Sequence, residues 1–117
     1  MPLIDRLQFD ALCDLAAGDS EFIVSVIDAF LPQLVEVPNA IRQGVMDGDI
    51  DTVAKLSHSL KGSASNVGAA QVAELCKTIE EQARQNTLEG VLPIAEALVT
   101  GAAATMAEFE AEKAKLA

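Results

Sequence analysis

The sequence predicts an all-α protein, an antiparallel four-helix bundle with a short additional helix at the N-terminus. Apolar residues recur at steps of three and four through most of the chain, and the alternating pattern typical of strands does not occur. Half of the 117 residues are apolar but only 3% are aromatic, so we expect a core of Ala, Leu, Val and Ile packed between helices. This length suits one domain, residues 1–117, that buries a core without disulfides or metal.

A short helix is predicted at the start of the chain, from about Asp5 to Ala16. Leu7, Leu12 and Leu15 fall at near-helical spacing in it, and it ends at 17–19, where the sequence is Ala-Gly-Asp. Because this helix is short, we expect it to cover one end of the core.

The second predicted helix begins after a cap at Asp19 or Ser20 and continues to the turn at 46–49. Pro32 and Pro38 lie inside it. Each proline removes a backbone donor and crowds the preceding turn, so we expect the helix to bend or break there. Its apolar face is expected to contain Phe22, Ile23, Val26, Ile27, Phe30, Leu34, Val37, Ile41 and Val45.

Asp49 is expected to cap the third helix, which ends at Gly68, a residue suited to a left-handed helix stop. The inward stripe of this helix is predicted to contain Ile50, Val53, Leu60, Ala64 and Val67, with Ser57 at the matching position between them.

A fourth helix is predicted from about Ala70 to Gln85, and the last and longest helix follows the turn 85–87. Gly90, Pro93 and Gly101 weaken the regularity of the last helix. The residues expected to face inward are Val72, Leu75, Cys76, Ile79 and Ala83 in the fourth helix, and Leu92, Ala95, Val99, Ala102, Met106 and Phe109 in the last.

Charge and composition exclude several classes of partner. A net charge of −10 opposes binding to nucleic acid or to an anionic membrane surface, since either needs a concentrated basic face. No apolar run approaches the length that spans a bilayer, and the N-terminus lacks the features of a signal peptide, so we expect a cytoplasmic protein. Cys13 and Cys76 are interpreted as buried, reduced thiols.

Counting residues also disfavours several kinds of site. With one histidine and two distant cysteines, a zinc site would need an unusual ligand set. The segment 47–51 resembles the start of a calcium loop, but Thr52 stands where the turn glycine belongs, so a helix cap is the better interpretation. No phosphate-binding loop for ATP is present, and the scattered carboxylates are interpreted as solvated surface residues.

His58, the only histidine, is the strongest candidate for chemistry. At about 100° per residue it points away from the inward stripe, on the same side as Lys55, Gly62 and Ser65, with Lys61 one turn along. An exposed neutral imidazole can attack phosphorus, and a nearby ammonium offsets the negative charge of the phosphoryl group. Because Gly62 has no side chain, a bulky partner would not be obstructed at this position. An unimportant surface histidine is the alternative.

The stretch from Thr52 to Ala73 contains no acidic residue, so the surroundings of His58 are expected to be neutral or cationic. Lys55 and Ser65, which share the face of His58, are the candidate partner-binding residues. Asp51, the nearest carboxylate on this face of the helix, lies about 10 Å along the axis from His58. We therefore expect no metal site or cofactor of the protein's own.

These residues resemble the signature of the histidine-containing phosphotransfer domains of bacterial two-component phosphorelays. That signature is a His followed three residues later by Lys-Gly and, six residues after that Gly, by another Gly. His58, Lys61, Gly62 and Gly68 occupy the four positions. The apolar residues around them and the stretches 19–30 and 76–80 are also similar to the family, so the resemblance covers nearly the whole chain.

The resemblance implies that His58 accepts a phosphoryl group from the aspartyl phosphate of one receiver domain and donates it to the aspartate of another. Magnesium would come with the receiver, and the partners would be response-regulator receivers and a hybrid or sensor histidine kinase. We expect a monomeric phosphoryl carrier without kinase activity of its own, because no nucleotide-binding motif is present. The histidine-bearing domain of chemotaxis-type kinases is similar too.

The alternative function is a helical interaction module that docks on or inhibits a sensor kinase without carrying phosphate. Such a module has no reason to retain the nucleophile His58, the cation Lys61 and the clearance at Gly62 together. The complete set therefore favours the phosphoryl carrier.

Overall fold

The computed structural model describes residues 2–16 and 18–116, which form a helical bundle. The helices are α1 (Arg6–Leu15), α2 (Ser20–Asp47), α3 (Ile50–Val67), α4 (Ala70–Arg84) and α5 (Val91–Leu116). Helix α2 packs on α3 and α5, and α4 packs on the same two helices, so the four long helices enclose one core. Short turns make consecutive helices antiparallel. No strand occurs in the described ranges, and the predicted fold class is confirmed.

Aspartates begin the first three helices, as the sequence predicts for α2 and α3. The carboxylate of Asp19 accepts a hydrogen bond from the Phe22 backbone N–H at 3.1 Å, and that of Asp49 accepts one from Thr52 at 3.2 Å. Asp49 is therefore a helix cap, as expected, and Gly68 ends α3 with a left-handed φ of 79°. Ala17, at the predicted end of the first helix, lies outside the described residues.

Of the bend or break expected at the prolines of α2, the break does not occur. Helix α2 runs without interruption through 28 residues, past both Pro32 and Pro38. Each proline removes one backbone hydrogen bond, whereas the helix packs along its length on two neighbours, and Pro38 itself is fully buried. Packing of the long apolar face therefore outweighs the local loss.

Helix α1 covers one end of the core, but of its three predicted leucines only Leu12, which is half-buried, packs against the core. Leu7 and Leu15 are 83% and 82% exposed, and Phe9 is the buried anchor. The ring centroid of Phe9 lies 5.8 Å from that of Phe109 in α5, which in turn lies 5.7 Å from Phe30 in α2. Three edge-to-face rings thus join α1 to the bundle.

The predicted inward stripe of α5 was partly wrong. Ala95, Ala102 and Phe109 are buried as predicted, but Leu92 is exposed, and Val99 and Met106 are only half-buried. Because α5 is apolar on most of its faces, the spacing of apolar residues does not define one stripe. The residues buried in α5 are Val91, Ala95, Leu98, Gly101, Ala102, Thr105, Phe109 and Glu112.

Helix α5 also corrects the expectation that no apolar segment approaches the length of a membrane span. By length and composition alone it could cross a bilayer, since an 18-residue window has a mean hydropathy of 1.3. A third of that window, 33%, is buried inside the bundle. A core helix passes the same test, so this is weak evidence for a membrane.

The two cysteines differ in burial. Cys76 is fully buried, as predicted, and desolvation raises the pKa of its thiol to about 12. Cys13 is only half-buried, in α1. Both are free thiols.

We expect Gly68→Ala to destabilise the protein more than Gly48→Ala does. Both glycines have a positive φ, 79° and 70°, so alanine would be strained by about 1 kcal/mol at either position. At Gly68 a Cβ would also meet the Asp5 carbonyl oxygen at 2.9 Å, whereas at Gly48 it would meet nothing within 4 Å. Urea denaturation should show the difference. Equal losses would mean that the approach of α1 to Gly68 contributes nothing.

Candidate functional site

His58 stands on the solvent side of α3, and its side chain is 62% exposed. The residues that hold this part of α3 in place lie on the opposite side. Leu60 is fully buried, and the buried Ser57 hydroxyl donates a hydrogen bond to the Val53 carbonyl at 2.7 Å. The core thus fixes the backbone beneath His58 while the ring faces outward.

The ring contacts a carboxylate from the neighbouring helix. Glu80 of α4 has a side chain only 5% exposed, and its Oε2 lies 2.9 Å from Nδ1 of His58. Lys61 donates to Oε1 of the same carboxylate at 2.6 Å. Arg84 donates to Oε2 through Nε at 2.8 Å and lies 2.6 Å from it through Nη2. We call these four residues, His58, Lys61, Glu80 and Arg84, the Glu80 cluster.

The charge of Glu80 determines how the imidazole is protonated. Burial raises the pKa of Glu80, but hydrogen bonds from Lys61, Arg84 and His58 outweigh it and lower the pKa to about 2. The carboxylate is therefore ionised at neutral pH and can only accept hydrogen bonds. Nδ1 of His58 must carry the hydrogen, and in the neutral ring the lone pair is on Nε2, at the opposite edge.

The expectation that His58 has neutral or cationic surroundings was wrong in one respect. The stretch 52–73 does lack acidic residues, but α4 packs on α3 and brings Glu80 against the ring. Glu80, not Asp51, is the carboxylate that contacts His58. Sequence analysis assigned no role to Glu80 or to Arg84.

A signal for Glu80 is nevertheless present in α4. The buried residues Cys76, Ile79 and Ala83 define the inward side of this helix, and Glu80 follows Ile79 directly and Cys76 by one turn. An acidic residue on the edge of an apolar stripe needs a counter-charge, and Arg84 lies one turn later. The spacing does not reveal which residue of another helix completes the pairing.

The other predicted site residues lie on the same side of α3 but outside the Glu80 cluster. Gly62 is exposed, and a Cβ built on it would meet nothing within 4 Å. Lys55 and Ser65 are both exposed, about one turn before and two turns after His58. Across residues 2–16 and 18–116, no group of three His, Cys, Asp or Glu side chains could hold a metal ion.

We expect Glu80 to make stability depend on pH. Because its pKa falls from the usual 4.5 to about 2 on folding, its contribution is fully present above about pH 4.5 and disappears as pH falls towards 2. The free energy of unfolding of the parent should therefore exceed that of Glu80→Gln at neutral pH, and the gap should narrow in acid. Urea denaturation across this range measures it.

The matched control is Glu81→Gln, which removes the same charge from the exposed neighbouring position of α4. Its free energy of unfolding should not differ from that of the parent in a comparably pH-dependent way. If the difference in free energy of unfolding between the parent and Glu80→Gln stayed constant down to pH 3, it would contradict an ionised, hydrogen-bonded carboxylate in the folded protein.

Comparison with known proteins gives the family. The Hpt domain profile matches residues 25–112. The chain is 25% identical over 93 residues to Multistep phosphorelay regulator 1 of Schizosaccharomyces pombe, a match that covers 79% of this chain and 32% of that protein. It is 30% identical over 74 residues to the signal transduction histidine-protein kinase BarA of Escherichia coli, and this match covers 63% of this chain and 8% of the kinase.

The fold has a close structural counterpart. The crystal structure of the histidine-containing phosphotransfer protein HptB from Pseudomonas aeruginosa PAO1 superposes with a TM-score of 0.87, over 97% of this chain and 96% of HptB, at 24% identity. The chain thus spans about a third or less of the two curated relatives but nearly all of HptB. The chain belongs to the Hpt domain family.

Proposed function

We propose that the phosphoryl group is carried on Nε2 of His58, which receives it from the aspartyl phosphate of one receiver domain and passes it to the aspartate of another. The observation that supports this proposal best is the hydrogen bond between Nδ1 of His58 and the ionised Glu80. It leaves the lone pair of the neutral ring on Nε2, on an exposed side chain that a partner can reach.

Only the imidazole and the acyl phosphate take part in the bonds that form and break. The Nε2 lone pair forms a bond to phosphorus, and the bond from phosphorus to the receiver's aspartate oxygen breaks with its electron pair left on that carboxylate. The ring gains positive charge as the new bond forms. Because Nδ1–H points at Glu80, the carboxylate stabilises that charge.

Lys61 has the proposed role of compensating the charge of the phosphoryl group. Its ammonium lies one turn from His58 on α3, and its side chain is 33% exposed. One of its three N–H groups is directed at Glu80, so donors remain for phosphoryl oxygens. The cation is thus held beside the ring by a partner that is itself buried.

The proposed partners are receiver domains and a hybrid or sensor histidine kinase. The similarity to a phosphorelay regulator and to a histidine-protein kinase supports this class of partner. Magnesium would be supplied by the receiver's own site. We further propose that the protein works as a monomer, because a single exposed histidine on one bundle suffices for the transfer. We also propose that it acts in the cytoplasm, as its sequence led us to expect.

His58→Gln should abolish phosphoryl acceptance while shifting the thermal midpoint by no more than about 2 °C, because the side chain is exposed and outside the core and because Glu80 keeps Lys61 and Arg84 as partners. The test is to incubate each protein with a phosphorylated receiver domain and magnesium and to measure acid-labile, base-stable label on the bundle. Label retained in the variant would contradict the assignment of the nucleophile. A parent that binds receivers but takes no label would indicate the interaction module instead.

Gly62→Gln should slow transfer from the receiver at least tenfold, whereas Gly62→Ala should transfer at close to the parental rate. The space around Gly62 is open within the bundle, so neither side chain strains the fold, and alanine should stabilise the helix by up to about 1 kcal/mol. Only the longer side chain reaches into the space where a partner would approach. Single-turnover rates and thermal midpoints measure both effects. Equal rates in the two variants would remove the proposed clearance role.

A further inference from the structure

We propose that Glu80 makes phospho-His58 a ready donor, because it holds Lys61 and Arg84 in hydrogen bonds that compete with the phosphoryl group for these two cations. This inference rests on the proposed function of His58. It assigns to Glu80 and Arg84 control over the balance between accepting and releasing phosphate.

The first observation is that both oxygens of the carboxylate are engaged. Oε1 accepts from Lys61 at 2.6 Å, and Oε2 contacts His58 at 2.9 Å and Arg84 through two nitrogens at 2.8 and 2.6 Å. One carboxylate, with a single negative charge, therefore accepts hydrogen bonds from two permanent cations and from the ring. With a neutral imidazole, the Glu80 cluster carries a net charge of +1.

The second observation is where the new charge would be added. Phosphorylation places a group with a charge near −2 on Nε2, at the ring edge opposite the Nδ1 that faces Glu80. The new Nε2–phosphorus bond replaces the bond from phosphorus to the receiver's carboxylate, and the Nδ1 proton stays in place. No further reactant is needed, but the phosphoryl oxygens require donors.

The donors within the cluster are those that Glu80 already holds. The Lys61 ammonium has three N–H groups and the Arg84 guanidinium has five, so each can contact a second anion without leaving the first. Arg84 is well placed for this, since its side chain is 61% exposed on the face that carries His58. A carboxylate within 3 Å of both cations nevertheless weakens the positive potential that they present to the phosphoryl group.

Phospho-His58 is consequently less stabilised than its two cationic neighbours would permit. An amide at position 80 would still accept the hydrogen bond from Nδ1–H, but it would no longer compete for Lys61 and Arg84. An amide keeps the orientation of the ring but loses two charge effects of the carboxylate, the stabilisation of the positively charged ring and the competition for the cations. We expect the second effect to be larger, because the carboxylate contacts two permanent cations but only one N–H of the ring.

The test is the equilibrium of phosphoryl transfer between a phosphorylated receiver domain and the protein, in magnesium, together with the single-turnover rate of transfer back to the receiver. Glu80→Gln should raise the equilibrium ratio of phospho-His58 to phospho-receiver about tenfold and slow the return transfer, since two charge-assisted contacts to the phosphoryl group become stronger. Glu81→Gln, which removes an exposed carboxylate one position along α4, should change the ratio less than about twofold.

A second variant addresses the cation. Arg84→Gln should lower the ratio about threefold in the parent and about tenfold in the Glu80→Gln background, where the guanidinium is free to contact the phosphoryl group. Lys77→Gln, an exposed lysine one turn before Glu80, is the control for loss of one positive charge and should change the ratio less than about twofold.

An unchanged ratio in Glu80→Gln would overturn the proposal and leave Glu80 as a positioning residue alone. A lower ratio would overturn it by showing that Glu80 mainly stabilises the positively charged ring. Should that variant not fold, an unchanged ratio in Arg84→Gln would overturn it equally. Failure of the proposed function is a separate result: no protein in the series, the parent included, would then take label on His58.

Discussion

The structure depends on a charge held between two helices. A carboxylate with 5% of its side chain exposed loses most of its hydration, and an unpaired one would be strongly destabilising at the interface of α3 and α4. Three donors from both helices compensate for that loss, and each of them also has a proposed role in phosphoryl transfer. The same contact that joins α3 to α4 therefore fixes the hydrogen on His58 and keeps two cations beside it.

Much of the fold was predictable from local patterns. The apolar stripe of α3, its Asp49 cap and its Gly68 stop all follow from rules that act within a few residues, and they place His58 on the solvent side. In the structure His58 and Lys61 lie together on one side of α3, as their spacing in the sequence predicts. Gly62 lies beside them with open space around its Cα.

What escaped prediction depends on contacts between distant residues. Helix propensity argues against two prolines inside α2, but packing on two neighbouring helices decides the outcome. Glu80 is separated from His58 by 22 positions, so no local spacing reveals that α4 supplies the ring's partner. In α5 the apolar residues are too numerous for periodicity to select the buried face, and only the positions of α2 and α4 determine it.

The ends of the described chain meet at one pole of the bundle. Asp5 donates its backbone N–H to the Gly68 carbonyl at 2.7 Å, and Arg6 pairs with Glu112 near the end of α5. His58 lies ten residues before Gly68, about 15 Å along α3 from that pole. A polypeptide joined to either end would thus be attached about 15 Å along the bundle axis from the ring, and not beside it.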